Sequence, residues 1–162
     1  MMSETLPDTL LQRIIHAQAL YARSLDDHGG DGWADCFDDD ECFYIVTTAE
    51  NHRDGMVAGL MYADSKGMLR DRIAALKEAN IYERHVYRHI MGQPLIVRRD
   101  GFLVHAETSF MVARVMRTGE TTLFATGRYF DCYIVSAERI LLRERKVVCD
   151  SSRIDTLLAL PL

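Results

Sequence analysis

Up to about Glu83 the apolar residues of this chain recur at helical spacing; beyond it they alternate with polar ones, as strand residues do. Leu11, Ile14, Ile15, Tyr21, Ala22 and Leu25 make one apolar stripe and predict a first helix from about Leu6 to Asp27. Ser3, Thr5 and Asp8 offer capping oxygens, and Pro7 suits a first turn. The run "DDHGGDG" stops this helix, because Gly29, Gly30 and Gly32 disfavour helical backbone. "WADCF" predicts a short helix that drops Trp33 and Phe37 into the core. "ECFYIVTT", residues 41–48, is rich in β-branched and aromatic residues and predicts a strand. Residues 49–64 have no clear period and read as a long loop, of a kind that is often functional. "SKGMLRDRIAALKEA", residues 65–79, returns to helical spacing through Met68, Leu69, Ile73 and Leu76, with Ser65 as N-cap.

Four β-like segments follow: "HVYRHIMGQPLIVR", "FLVHAETSFMVARVMR", "TTLFATGRYFDCYIV" and "RILLRERKVVCDS". "RDG" and "TGE" are hairpin-like breaks between them. In the second segment Phe102, Val104, Ala106, Phe110 and Val112 share one parity, with His105 and Glu107 on the other. That is the pattern of a half-buried antiparallel strand. The tail "IDTLLALPL" is apolar to its end, which predicts docking on the domain or on a partner. Helices first and long strands afterwards give an α+β class, with one strongly curved antiparallel sheet wrapped against two or three N-terminal helices. No repeat or linker interrupts the 162 residues, so a single domain, 1–162, is expected.

Charge narrows the partners. The formal net charge is −5 and the basic residues lie scattered among acidic ones, which argues against nucleic acid. The first residues lack a basic stretch followed by an apolar core, and no apolar run reaches membrane-spanning length. The expectation is a cytoplasmic protein with no membrane contact. Cys36, Cys42, Cys132 and Cys149 show no C-x-x-C pairing and no finger-like histidine spacing, so they are expected as reduced thiols.

The arrangement closest to chemistry is "YERHVYRHIMG", residues 82–92, with His85 and His89 four apart and Arg84 and Arg88 beside them. On a helix such a pair could share a metal ion. On a strand the two residues stand about 13 Å apart and cannot. "IMGQPLIV" continues as an extended run, so a strand is expected and no metal. A general acid/base site could draw on His85, His89, Asp131, Tyr129 and Glu144, although one sequence cannot show that these converge. Paired Cys/His spacing for a Rieske cluster is absent, as are a glycine fingerprint and a P-loop. The residues by themselves leave a small cavity enzyme, a ligand-binding module and a non-catalytic assembly subunit open.

Four stretches carry a resemblance that runs over nearly the whole chain. They are "DDHGGDGWADCFDDDECFYIV", "YADSKGMLRDRIAALKEANIYE", "RHVYRHIMG" and "VCDSSRIDTLLALPL". In order and spacing the chain resembles the small (β) subunit of Rieske-type aromatic-ring-hydroxylating oxygenases. The wording "MLRDRIAALKEANIYERHVYRHI" is most similar to the branch acting on aromatic carboxylates such as benzoate, salicylate and terephthalate. An acidic-proline-proline-serine stretch before Arg-His, found in many other β subunits, is absent; this points away from hydrocarbon substrates. The resemblance implies a cone-shaped fold similar to nuclear transport factor 2 and scytalone dehydratase. It implies an α subunit holding the Rieske 2Fe–2S cluster, the mononuclear Fe(II) and the substrate, fed with electrons from NADH. It implies no cofactor in this chain, a homotrimer of it, and an α3β3 hexamer. Arg84, Arg88 and His89 become candidate scaffold or interface contacts. The alternative is a stand-alone dehydratase or isomerase of the same fold, using His85, Asp131, Tyr129 and Glu144.

Overall fold

The computed structural model describes residues 9–79, 85–153 and 160–162. The first helix, α1, spans Leu10–Asp26. Thr9 caps it: its hydroxyl accepts from the Gln12 N–H at 3.2 Å while the Gln12 side chain accepts from the Thr9 N–H. The expected caps Ser3, Thr5, Pro7 and Asp8 lie outside the described residues. Ile14, Gln18, Tyr21, Ser24 and Leu25 form the buried stripe. Ile15, expected in that stripe, is turned outward and 43% exposed, because it sits about 100° around the helix from Ile14.

After α1 the chain doubles back. The Gly30 N–H bonds the Ser24 carbonyl at 2.8 Å, and Gly30 takes φ +97°. A Cβ there would stand 2.4 Å from Ile73 Cδ1, so the turn needs glycine for conformation and for room. A single 3₁₀ turn, Ala34–Cys36, then inserts Trp33 and Phe37, both fully buried. Trp33 meets Tyr44 edge-on at 5.1 Å and Phe37 at 5.8 Å.

Strand β1, Phe43–Thr48, leads into the stretch expected to be a loop. It is not a plain loop. Thr48 caps a short helix α2, Ala49–Arg53, and β2, Met61–Ala63, returns antiparallel along β1. Elements of five and three residues are too short to show a period, which is why the pattern missed them. Helix α3, Lys66–Ala79, begins at Ser65, whose hydroxyl accepts from the Met68 N–H.

The remaining chain is β3 (His85–Met91), β4 (Leu95–Asp100), β5 (Leu103–Met116), β6 (Thr121–Val135) and β7 (Ile140–Cys149). Gly92–Pro94 splits the first expected segment, and both halves lie along the same edge of β5. The sheet runs β2-β1-β7-β6-β5-β3, with β4 also on β5. All neighbours pair antiparallel except β1 and β7, which are parallel. Register shifts at Ile96/Arg98, Val112/Ala113 and Cys132/Tyr133 bend the long strands. Gly127 lets β6 pass so close to β7 that a Cβ would sit 2.0 Å from the Val148 carbonyl oxygen. Val104, Ala106, Phe110 and Val112 face the core as the alternation required. Phe102 does not: it stands in the β4–β5 turn, outside the pleat, and is 63% exposed.

The core lies between the sheet and the helices. Its floor is closed by the end of the chain, where Leu160 and Leu162 are buried. The Tyr21 and Tyr44 hydroxyls donate to the Leu162 main-chain oxygen at 2.7 and 3.0 Å, and the Leu162 N–H donates to Tyr44 at 3.1 Å. The docked tail is thus seen for residues 160–162; residues 154–159 lie outside the described set.

Candidate functional site

The one fully buried ion pair among the described residues joins two neighbouring strands. Asp131 on β6 and Arg145 on β7 are register partners, and both side chains have no exposed surface. Arg145 Nε donates to Asp131 Oδ1 and Nη2 to Oδ2, each at 2.8 Å. Nη2 also donates to the Tyr133 hydroxyl at 3.1 Å, and that hydroxyl donates to Asp131 Oδ2 at 3.2 Å. The guanidinium packs against two aromatic rings that meet edge-on, 4.1 Å from the Tyr21 ring centre and 4.0 Å from that of Tyr129. Burial works to lower the Arg145 pKa; the Asp131 carboxylate and the Tyr133 hydroxyl outweigh it and hold it well above the ordinary value. Burial likewise raises Tyr21, Tyr44, Tyr129 and Tyr133, so these phenols keep their protons. The cluster holds charge and does not readily move protons.

A second polar pair ties α1 to β3. Asp26, in the last turn of α1, accepts from the His89 N–H at 2.8 Å and meets His89 Nδ1 at 2.6 Å. Those side chains are 0% and 4% exposed, His89 first. Arg88, next in sequence, points the other way and reaches Asp27 at 3.7 Å. Arg84 lies outside the described residues.

The expected acid/base set is therefore dispersed. Asp131 and Tyr129 do meet, at Arg145. His85 packs beside Tyr87 with ring centres 4.8 Å apart and planes tilted by 44°, and His89 belongs to Asp26. Glu144 pairs with Lys146 at 2.9 Å, with its side chain 36% exposed. His85 and His89 share the inner face of a strand with Tyr87 between them, and among the described residues no His/Cys/Asp/Glu group could hold a metal ion. All four cysteines are free. Burial pushes Cys36 and Cys42 up to about 11 and Cys149 up to about 12, which disfavours the thiolates that metal ligation needs. Sequence reasoning missed Arg145, Tyr133 and Tyr21. A signal existed for Arg145: it keeps the parity of Val147 and Cys149, a charged residue in an apolar phase.

The outer sheet face is unusual in another way. Val86, Ile90, Met111 and Leu123 are 51%, 53%, 46% and 63% exposed. They stand together, because Ile90 is the register partner of Met111 and Leu123 that of Ala113 on the same strand. Arg88 lies in this patch, opposite Ala113.

A sequence model described as the ring hydroxylating beta subunit matches residues 21–156. The chain belongs to the ring-hydroxylating β-subunit family. It is the small subunit of an aromatic-ring-hydroxylating oxygenase, and so part of an oxidoreductase. The β subunit 2 of the terminal oxygenase component of terephthalate 1,2-dioxygenase from Comamonas sp is 50% identical, over 89% of this chain and 93% of that one. The anthranilate 1,2-dioxygenase small subunit of Burkholderia cepacia is 33% identical over 90% and 89%. Among solved structures, the β subunit of a putative aromatic-ring-hydroxylating dioxygenase from Novosphingobium aromaticivorans superposes with TM-score 0.86 at 38% identity, covering 94% of this chain and 96% of that one. A putative scytalone dehydratase from the same organism shares the fold alone: TM-score 0.63, 13% identity, 86% of this chain and 83% of that one. The β-subunit family match spans both polar pairs, Asp131–Arg145 and Asp26–His89. Among the described residues no helix is long and apolar enough to cross a membrane.

Proposed function

We propose that this β subunit is the assembly platform of an oxygenase acting on an aromatic carboxylate, working in the cytoplasm as one domain. Its partner is an α subunit holding the Rieske 2Fe–2S cluster, the mononuclear Fe(II) and the substrate, in an α3β3 hexamer around a trimer of this chain. The terephthalate and anthranilate relatives support the carboxylate class. The observation that carries the assembly role is the outward patch of Val86, Ile90, Met111 and Leu123 on paired strands. Apolar side chains in register on a sheet face, with Arg88 among them, are what a subunit interface uses.

The test is co-expression with a Rieske α subunit, followed by sizing. Ile90→Glu with Met111→Glu is expected to abolish the hexamer while the isolated chain keeps its circular dichroism and thermal midpoint. The purified chain is expected to be colourless; stoichiometric iron bound to it alone would sink this reading.

One observation favours a second reading, a stand-alone cavity enzyme. Asp26 and His89 form a hydrogen-bonded carboxylate–histidine pair beside a trough of about 390 Å³. That reading requires a turnover by this chain alone that His89→Gln removes.

A further inference from the structure

We propose that this chain carries its own binding site for a small organic monocarboxylate, in the groove between α1, the 3₁₀ turn and the start of β7, with Arg145 at its floor. The groove measures about 490 Å³, within the usual range for small-molecule sites. Its walls are mostly apolar: Ala17, Leu20, Ile140 and Leu142 line it together with the Tyr21 and Tyr133 rings.

The polar signal is Arg145. Asp131 takes Nε and Nη2, and Tyr133 shares Nη2, so three of the guanidinium's contacts are met. Nη1 is buried with no hydrogen-bond partner. Two N–H groups of a permanently charged side chain are left without an acceptor, an omission that is costly where nothing fills it. The Tyr21 and Tyr129 rings pack on the guanidinium at 4.1 and 4.0 Å and meet each other edge-on, and the free N–H groups of Nη1 lie in the guanidinium plane, so an acceptor comes in that plane, at the Nη1 edge. Cys36 and Arg145 both line the groove, which puts the Arg145 side chain on the groove side of the sheet.

The rim carries both signs: Asp31 and Asp35, paired with Lys77 and Arg70, face Arg23 and His28. The ligand's charge is therefore set at Arg145, where Nη1 offers one edge of two N–H groups and matches one carboxylate. Arg139 also lines the rim, and no ion pair of its guanidinium is found among the described residues. A single carboxylate on a flat apolar body fits: the carboxylate at Arg145, the body on Leu142, Ile140 and the tyrosine rings. This site is independent of the assembly role, since it is measured on the chain alone.

The probe is benzoate, titrated calorimetrically into the full chain, with benzamide as the uncharged isostere. Saturable binding of benzoate is expected, with benzamide at least about tenfold weaker. Ala17→Trp and Leu20→Trp, which fill the groove without touching the ion pair, are each expected to remove binding while the thermal midpoint holds. Benzoate is also expected to slow alkylation of Cys36, whose thiol is on the wall. Equal affinity for benzamide, unchanged binding in both groove-filling variants, or no saturation by about 10 mM benzoate on the folded chain would each overturn the proposal, the last leaving water as the only occupant.

Discussion

Asp26 and His89 are held together twice, once through the His89 main-chain N–H at 2.8 Å and once through Nδ1 at 2.6 Å. The carboxylate thus fastens the last turn of α1 to the middle of β3, 63 residues away. It leaves the histidine ring facing inward while Arg88 faces out.

Replacing Asp26 by Ala strips an acceptor from a buried ring and from a strand amide. A loss of about 1–3 kcal/mol is expected. The measurement is urea unfolding at neutral pH; for a chain of this size the thermal midpoint should fall by about 2–4 °C per kcal/mol. Asp27→Ala, which removes only the exposed ion pairs with Arg23 and Arg88, should change the midpoint by less than about 1 °C.

The Asp131–Arg145 pair should behave as a unit. Asp131→Leu alone leaves a buried cation without its acceptor, and Arg145→Met alone leaves a buried carboxylate; each is expected to cost about 3–5 kcal/mol. The double variant puts two apolar side chains in a dry site and should lose less than either single one. A double-mutant cycle by chemical denaturation reads the coupling. Simple additivity would show that the two charges do not depend on each other.

Alkaline pH offers a test of the tyrosine core. Burial raises the pKa of Tyr21, Tyr44, Tyr129 and Tyr133 in the folded chain. A raised folded value means that the stabilisation is complete below the unfolded value of about 10 and is lost as pH climbs through the folded one. Absorbance at 295 nm should therefore show only the exposed phenols titrating at first. Tyr21, Tyr44, Tyr129 and Tyr133 should ionise together with loss of far-ultraviolet dichroism, in one cooperative step. A smooth titration of all tyrosines in the folded state would contradict their burial.

Leu162 tests the docked tail. Its side chain is fully buried, so Leu162→Ala should cost about 2–5 kcal/mol. Tyr44→Phe should cost about 1–3 kcal/mol, because it leaves the Leu162 N–H without an acceptor. Thermal unfolding of both variants against the parent chain ranks the two effects.

Much of this architecture is written in local pattern. The stripe Ile14, Tyr21 and Leu25, the N-cap at Ser65 and the alternation Val104-Ala106-Phe110-Val112 all read true, since periodicity reflects which face a residue turns to the core. The errors fall where period carries no information. Ile15 sits at the edge of its stripe, Phe102 sits in a turn, and α2 and β2 are shorter than a repeat. The strand reading of "HVYRHIM" also held, and with it the separation of His85 from His89 on one face.

By itself, then, the sequence determined the α+β class, the inward and outward faces of the long strands, and membership of the β-subunit family, whose order of elements is carried in the spacing of its segments. Only the tertiary structure decided partners. That Asp26 answers His89, that Arg145 rather than a histidine meets Asp131, and that the chain end closes on Tyr21 and Tyr44 depend on register and packing across 14 to 141 residues of sequence. The physical reason is range. A side chain's own neighbours along the chain set its direction, while its hydrogen-bond partner is whatever the folded sheet brings within 3 Å or so, and no local spacing encodes that distance.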